Sequence, residues 1–230
     1  LKSAVAAAKE GDWLWISGAE DFVLDESVTI PQGVYLNVQS GAGSFKVAEG
    51  TTLTTNNKFD CYVPMIIDGT WKANGMNWGD LNLTVSANGT VESKSTLSFS
   101  LLQIDGYFKN SGTISIRDNL SVSSTGLLEN GGIIYTGKTW KIDGVIKEIG
   151  AGAVYYDYSA KTMDDLMSFV NLAKAGDTIT IDLKEREFLI DDSITIPDGV
   201  RIEMPYHVTI CENVVLSTYT AQVQSMTVAG

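Results

Sequence analysis

The side chains suited to acid–base chemistry are few and lie far apart in the sequence. The only histidine is His207, and the arginines are Arg117, Arg186 and Arg201. A nucleophilic triad needs a histidine, glycosidases need two opposed carboxylates, and polysaccharide lyases need a base and a cation that binds the substrate carboxylate. The sequence contains no recognisable set of this kind. It therefore favours a non-catalytic role and predicts that His207 is a surface or strand-edge residue.

Two pairs of adjacent aspartates and one column of turn residues are the other acidic candidates. Asp164 and Asp165 fall in the first turn of a predicted helix, where the helix dipole favours carboxylates. Asp191 and Asp192 precede a predicted strand, and successive side chains there rarely converge. The turn residues alternate acidic with neutral side chains: Asp68, Asn88, Asp105, Thr125 and Asp143. In stacked coils the acidic members would lie ~9–10 Å apart, too far to share one calcium ion, so we predict no metal and no cofactor.

Two tryptophans form the one candidate binding surface. Trp13 and Trp15 alternate with the apolar Leu14 and Ile16, so on a strand the two indoles share the face opposite the core. Exposed apolar surfaces of this kind mark recognition sites. Stacking on a sugar ring is one use of such a platform. Packing against a neighbouring coil, domain or subunit is the other, and the sequence leaves both open.

The chain contains a long internal repeat. Residues 1–12 match residues 166–177, and the second copy has Thr178 and Thr180 where the first has the two tryptophans. Such self-similarity predicts tandem units of one architecture. The predicted units are residues 1–155 and the start of a second copy at residues 156–230. Because the second copy stops partway through a coil, we expect the array to continue or to join another molecule.

Each unit is predicted to open with a capping helix. In the second unit, Thr162 and Asp165 have the spacing of a helix N-cap and its acidic partner, and Gly176 is a natural stop. The predicted helix spans residues 162–175. Its apolar residues recur with helical periodicity, which suits a lid over the end of a β stack.

A shorter repeat of glycines lies between the helices. The glycines recur every 17 to 20 residues, at Gly69, Gly89, Gly106, Gly126 and Gly144. The residues two positions after them are apolar: Trp71, Val91, Phe108, Leu128 and Ile146. The residues four positions before them are also apolar: Met65, Val85, Leu102, Val122 and Trp140. We therefore predict that Trp71 and Trp140 lie in the core, together with Trp78.

Charges alternate at a fixed position in the same register. The residues three positions after each glycine are Lys72, Glu92, Lys109, Glu129 and Lys147. Alternation of this kind stabilises a protein only if equivalent residues lie side by side, as they do in a parallel stack with strands ~4.8 Å apart. An antiparallel sandwich would not align them. The predicted fold class is therefore all-β: a right-handed, single-stranded parallel β-helix with short capping helices.

Two stretches of sequence resemble known β-helices. The run from Ala173 to Glu203 resembles the opening coils of right-handed β-helix proteins of the pectin lyase-like superfamily. The runs Phe108–Ile116 and Leu127–Ile134 are similar to coils of bacterial surface β-helices and adhesins. The resemblance implies the fold and a wide set of functions, from lyases and hydrolases to adhesins and spacers. The Asn-Thr-Asp, His-Gly and Arg-x-Lys motifs typical of the hydrolases do not occur in the sequence.

Charge, cysteines and glycosylation motifs narrow the biological setting. With 16 basic and 28 acidic residues, the net charge of −12 disfavours nucleic acid and anionic lipid, and no apolar run is long enough to span a membrane. Cys61 and Cys211 are predicted to be free thiols in different units, with a bridge between the units as the alternative. Sequons at Asn82, Asn88 and Asn119 matter only in a glycosylating host.

These observations predict a non-enzymatic, extracellular or cell-surface repeat module with a structural, adhesive or fibre-forming role. Its expected partners are further copies of itself, docked end to end or as neighbouring repeat units, or surface glycans. The alternative is a carbohydrate-active or carbohydrate-binding β-helix that uses Trp13 and Trp15 to hold its ligand.

Overall fold

The computed structural model shows an all-β parallel solenoid. It describes residues 1–39, 41, 43–77, 81–137, 139–181, 187–212, 215–217 and 221–228. The chain forms two compact units, Leu1–Val154 and Tyr155–Gly230. All strand pairs among the described residues are parallel, which confirms the predicted parallel β-helix, while its right-handed sense stays a prediction.

The first unit begins with helix α1 (Lys2–Ala7) and continues as short strands. These are β1 (Trp13–Ile16), β2 (Phe22–Leu24), β3 (Val28–Ile30), β4 (Tyr35–Val38), β5 (Phe45–Val47), β6 (Thr52–Thr55), β7 (Phe59–Cys61), β8 (Met65–Ile67), β9 (Thr70–Ala73), β10 (Leu81–Val85), β11 (Thr90–Ser93), β12 (Thr96–Ile104), β13 (Tyr107–Asn110), β14 (Thr113–Val122), β15 (Leu127–Asn130), β16 (Ile133–Tyr135), β17 (Thr139–Ile142), β18 (Val145–Glu148) and β19 (Ala153–Tyr155).

Three parallel sheets make up the described part of the first unit. The smallest contains β1, β4 and β7 in that order. The second has the order β19-β16-β14-β12-β10-β8-β5-β2, with β17 also paired to β14, and the third has the order β18-β15-β13-β11-β9-β6-β3. Except for β16 and β17, which both pair with β14, consecutive strands of the first unit lie in different sheets, so successive turns of the solenoid stack their strands in parallel. The smallest sheet belongs to the first three turns.

Apolar side chains form continuous columns inside the first unit. Trp71 pairs in register with Val91, which pairs with Phe108, which pairs with Leu128, and all four are fully buried. The Trp71 indole nitrogen also donates a hydrogen bond of 3.1 Å to Thr55 Oγ1, which satisfies the one polar group of the ring. The predicted core position of Trp71 is confirmed.

The predicted core position of Trp140 is wrong. Trp140 lies in register with the buried Leu120, as the sequence column requires, but it is 39% exposed. Among the described strands β17 pairs with β14 alone, so the inward column ends there and the indole is only partly covered. Trp78, also predicted as core, lies outside the described residues.

The glycines of the shorter repeat, which we call the register glycines, are required because a side chain would not fit there. Their backbone conformation is not unusual. A Cβ atom on Gly89 would overlap the carbonyl oxygen of Ile67 in the preceding coil, and one on Gly106 would overlap that of Ser86. The earlier Gly50 differs, since it has a positive φ of 75° and open space around its Cα. Two separate physical demands therefore produce one sequence pattern.

A pair of buried amides lies at one corner of the stack. Asn110 and Asn130 are fully buried, and Asn110 Nδ2 donates a hydrogen bond of 2.8 Å to Asn130 Oδ1. Asn130 Nδ2 in turn donates to the carbonyl oxygen of Ala153 at 2.9 Å. Each Oδ1 also accepts a backbone N–H two residues further along, from Gly112 and Gly132 respectively. The buried polar groups are therefore matched along the axis of the stack.

The second unit combines one helix with a further set of parallel strands. Its elements are β20 (Asp157–Ala160), α2 (Met163–Leu172), β21 (Thr178–Ile181), β22 (Glu187–Ile190), β23 (Ile194–Thr195), β24 (Arg201–Ile210), β25 (Leu216–Ser217) and β26 (Ala221–Val228). One sheet has the order β20-β21-β24-β22 with β26 paired to β24, and β23 pairs with β25.

Helix α2 has the predicted start and an earlier end than predicted. The Thr162 hydroxyl accepts from the backbone N–H of Asp165 at 3.1 Å, and the Asp165 carboxylate accepts from the Thr162 N–H, so the capping box is confirmed. Hydrogen bonds to its carboxylate, first from the backbone N–H of Lys161 and then from Thr162, hold the pKa of Asp165 below its usual value. The helix ends at Leu172, because Ala173 is extended, and Gly176 supplies a positive φ to the turn before β21 instead.

Candidate functional site

The two predicted tryptophans lie on the outward face of the smallest sheet. Strand β1 alternates, so Leu14 and Ile16 point toward the interior while Trp13 and Trp15 are 41% and 56% exposed. A strand has a two-residue period, and burying one set of side chains on the core face presents the other set to solvent.

Parallel pairing adds residues from two further strands beside the tryptophans. Trp13 lies opposite Tyr35 of β4, and Trp15 lies opposite Asn37, which in turn lies opposite Asp60 of β7. The same ladder continues past the strand ends, because the N–H of Tyr62 bonds to the carbonyl of Val38. We name the resulting surface the aromatic face. Its residues are Trp13, Trp15, Tyr35, Asn37, Gln39, Lys58, Asp60 and Tyr62.

Three rings of the aromatic face lie nearly parallel to one another. The ring centroids of Trp13 and Trp15 are 5.6 Å apart with an interplanar angle of 22°. Those of Trp13 and Tyr35 are 4.7 Å apart at 16°. Ring pairs at such distances and angles attract one another beyond their burial of apolar area, which restricts the exposed indoles to a defined arrangement. The contacts between the rings therefore hold this part of the surface in one arrangement before any ligand binds.

A cation and a buried carboxylate complete one side of the face. Lys58 Nζ lies 5.2 Å from the ring centroid of Trp13 and 3.0 Å from Asp60 Oδ2. Asp60 is only 2% exposed, and a carboxylate at that depth is tolerated because a cation pairs with it. The pair adds no net charge to the aromatic face.

Trp15, Asn37, Gln39 and Tyr62 line a shallow surface cavity of about 390 Å³ that is open to solvent. Three of these side chains are exposed, whereas Asn37 is 5% exposed and is the buried part of the lining. The Asn37 Oδ1 atom is buried and has no hydrogen-bond partner. Buried acceptors are nearly always satisfied in folded proteins, so this enclosed oxygen is an exception among the buried polar atoms.

The equivalent surface of the second unit is different in kind. Thr178 pairs with Arg201 and Thr180 pairs with Glu203, at the positions that Trp13, Tyr35, Trp15 and Asn37 occupy in the first unit. Arg201 and Glu203 form an ion pair of 2.9 Å. The second unit thus repeats the backbone of the site without its aromatic rings or its amide.

The predicted charge column is present in register on the third sheet. Its strand neighbours in order are Lys72, Glu92, Lys109, Glu129 and Lys147. Within the part of the chain that the structure describes, one ion pair forms along it, between Lys147 Nζ and Glu129 Oε1 at 3.2 Å. Hydrogen bonds from the Tyr107 hydroxyl, at 2.7 Å, and from Lys147 lower the pKa of Glu129. Exposed ion pairs of this kind contribute little to the free energy of unfolding, so the column marks the parallel register and adds only a little stability.

The remaining candidates that the structure describes do not gather into a second site. The backbone of His207 pairs between Glu187 and Ser225, while its side chain lies outside the described residues, as does Arg186. Asp191 and Asp192 are exposed. Among the described residues no cluster of His, Cys, Asp and Glu has the geometry of a metal site.

The turn column and the sequons are dispersed over the surface. Lys46 forms an ion pair with Asp68 and holds the pKa of that carboxyl below its usual value. Asn82 and Asn88 are exposed, whereas Asn119 is half-buried and its Oδ1 accepts a 3.3 Å hydrogen bond from Thr139.

Both cysteines are free thiols, Cys61 in the first unit and Cys211 in the second. Cys61 is buried, and desolvation raises its pKa to about 12.

Comparison of the chain with protein-family models, with curated proteins and with solved structures found no match. The described helices are all too short or too polar to cross a bilayer.

Proposed function

We propose that the chain is a non-enzymatic β-solenoid module of an extracellular or cell-surface protein, and that it binds carbohydrate through the aromatic face. The observation that carries this proposal is the combination of near-parallel exposed rings with the two amide side chains beside them, Asn37 and Gln39. Ligand sites combine apolar and aromatic walls with a small number of placed polar groups.

A sugar ring matches this combination better than a purely apolar ligand does. One side of a pyranose presents C–H groups that stack on an indole or phenol, and its edge presents hydroxyl donors. Trp15 and Tyr62 provide exposed rings, and Asn37 and Gln39 provide amides beside them.

The solenoid itself supports an adhesive role without catalysis. Its strands hold the aromatic face on a rigid sheet, and the second unit repeats that backbone with other side chains. We further propose membership of the pectin lyase-like superfamily, because a capping box leads into parallel coils as the sequence resemblance implies.

Binding to a panel of soluble polysaccharides, measured by isothermal titration calorimetry, tests the proposal. Native protein is expected to bind at least one glycan. Trp15→Ala is expected to raise the dissociation constant by about 10-fold, which corresponds to the loss of one aromatic stacking contact. Tyr135→Ala is the matched control, since Tyr135 is an exposed aromatic residue on another sheet.

The competing reading is that the aromatic face packs against another copy of the chain. Light scattering across concentrations separates the two. A mass that falls to the monomer in Trp15→Ala, without any glycan bound by the native protein, would reject carbohydrate binding in favour of self-association.

A further inference from the structure

The cavity between Trp15 and Tyr62 carries information about the class of sugar. Among the described residues, its lining consists of two aromatic rings and two amides, with no charged side chain. The nearest charges of the aromatic face are Lys58 and Asp60, which are paired with each other at 3.0 Å. A ligand in this cavity therefore meets hydrogen-bonding groups and ring faces, and no uncompensated charge.

We propose that this cavity holds an uncharged sugar ring, one hydroxyl of which forms a hydrogen bond with the side-chain amide of Asn37. The inference rests on the proposed function and narrows it from carbohydrate in general to neutral glycans. It differs from what a lyase-like resemblance suggests, since lyases of that kind act on sugars that carry a carboxylate.

The polar part of the lining is the first argument. Asn37 and Gln39 provide polar groups of the described lining, and both are uncharged amides. Amides form hydrogen bonds with the neutral hydroxyl groups of a sugar and carry no charge that could balance a carboxylate.

Charge is the second argument. A uronate carboxylate needs a cation or several N–H donors to replace its lost hydration. Lys58 is the cation of the aromatic face, and pairing with the deeply buried Asp60 already uses its charge. The chain as a whole carries a net charge of −12, which repels anionic polymers further.

Room for a ring is the third argument. The cavity volume of about 390 Å³ lies within the range of small-molecule sites, and two exposed rings stand at its rim. The Trp15 ring is held by its stacking contact with Trp13, so the wall of the cavity does not need to form when the ligand arrives. Pre-organisation of this kind reduces the entropic cost of binding.

The test compares length-matched neutral and uronate oligosaccharides by calorimetry at low and high salt. Neutral oligosaccharides are expected to bind with an affinity that salt does not change, and uronates are expected to bind at least about 10-fold more weakly. Asn37→Leu is expected to weaken neutral binding by about 3- to 10-fold, the value of one hydrogen bond between neutral groups.

Monodeoxy sugars identify the hydroxyl that contacts Asn37. They also give a result with the native protein, so the test does not depend on whether Asn37→Leu folds. One deoxy analogue should bind the native protein with the same 3- to 10-fold loss of affinity. That analogue and its parent sugar should bind Asn37→Leu with equal affinity. Tyr62→Ala, a change at an exposed ring, should also weaken binding in a protein whose circular dichroism is native. If Asn37→Leu does not fold, the deoxy series and Tyr62→Ala alone decide.

The outcomes separate this inference from the function on which it rests. Preference for uronates with loss of binding in Trp15→Ala would overturn the neutral-sugar assignment and leave carbohydrate binding intact. Neutral binding that is insensitive to Tyr62→Ala and to every deoxy position would place the ligand elsewhere on the aromatic face and overturn the assignment of this cavity. Absence of binding to any glycan would overturn both proposals.

Discussion

Replacing Gly89 with alanine should destabilise the first unit more than the same change at Gly50. Gly89 needs no positive φ, so its backbone accepts an alanine, but the added methyl would overlap the Ile67 carbonyl oxygen and lie 3.0 Å from Ser86 O. Both obstacles are backbone atoms, so neighbouring coils must separate locally. Overpacking of that kind costs about 1–3 kcal/mol, and we expect the upper end because no flexible side chain can move away.

Gly50 is the control for backbone conformation alone. Its φ of 75° lies in the left-handed region, and no described atom lies within 4 Å of the position that an added methyl would take. Alanine there should cost about 1–2 kcal/mol of left-handed strain and no steric clash.

Urea unfolding followed by circular dichroism measures both changes. A Gly89→Ala protein as stable as Gly50→Ala would refute the idea that close approach between coils, and not turn conformation, selects the register glycines. Equal stability of Gly89→Ala and the native protein would refute the described stacking of that coil on Ile67 as well.

Two further predictions concern titrating groups. Burial first, and the hydrogen bond to Glu129 second, raise the pKa of Tyr107 to about 12, so stability should fall as pH rises from about 10 through 12. Glu129→Gln should lower the Tyr107 pKa only partway toward 10, and ultraviolet titration of the tyrosines measures it; an unchanged titration would contradict the contact. The buried Cys61 thiol, with its pKa of about 12, should react with iodoacetamide at neutral pH only after unfolding. Mass spectrometry of labelled peptides tests this, and rapid labelling of the native protein would contradict its burial.

The fold was predictable because the columns of the sequence are contacts in the structure. Trp71, Val91 and Phe108 are spaced irregularly along the chain, yet counting from the glycines aligned them correctly. The same count failed at Trp140, since a column gives the direction of a side chain and not whether another coil covers it. Gly176 was assigned to the wrong element because a glycine signals a turn equally well before a strand and after a helix.

The site was predictable only in part. Trp13 and Trp15 emerged from comparison of the two copies, whereas Tyr35, Asn37 and Tyr62 did not. Those three lie on coils that precede the regular glycine register, although their alternation with Leu36, Val38 and Cys61 was a usable signal. Burial of Asn37 and the lack of a partner for its oxygen depend on neighbours from other turns, so periodicity alone cannot reveal them.

The amide pair at Asn110 and Asn130 bears on how a repetitive chain finds its correct alignment. Apolar columns are nearly interchangeable, and a coil displaced along its neighbour could still bury similar area. A displaced coil would, however, separate these two side chains and leave their donors and acceptors desolvated, each at a cost of about 1–3 kcal/mol. During folding, the pair therefore favours the correct alignment of adjacent coils over displaced alignments.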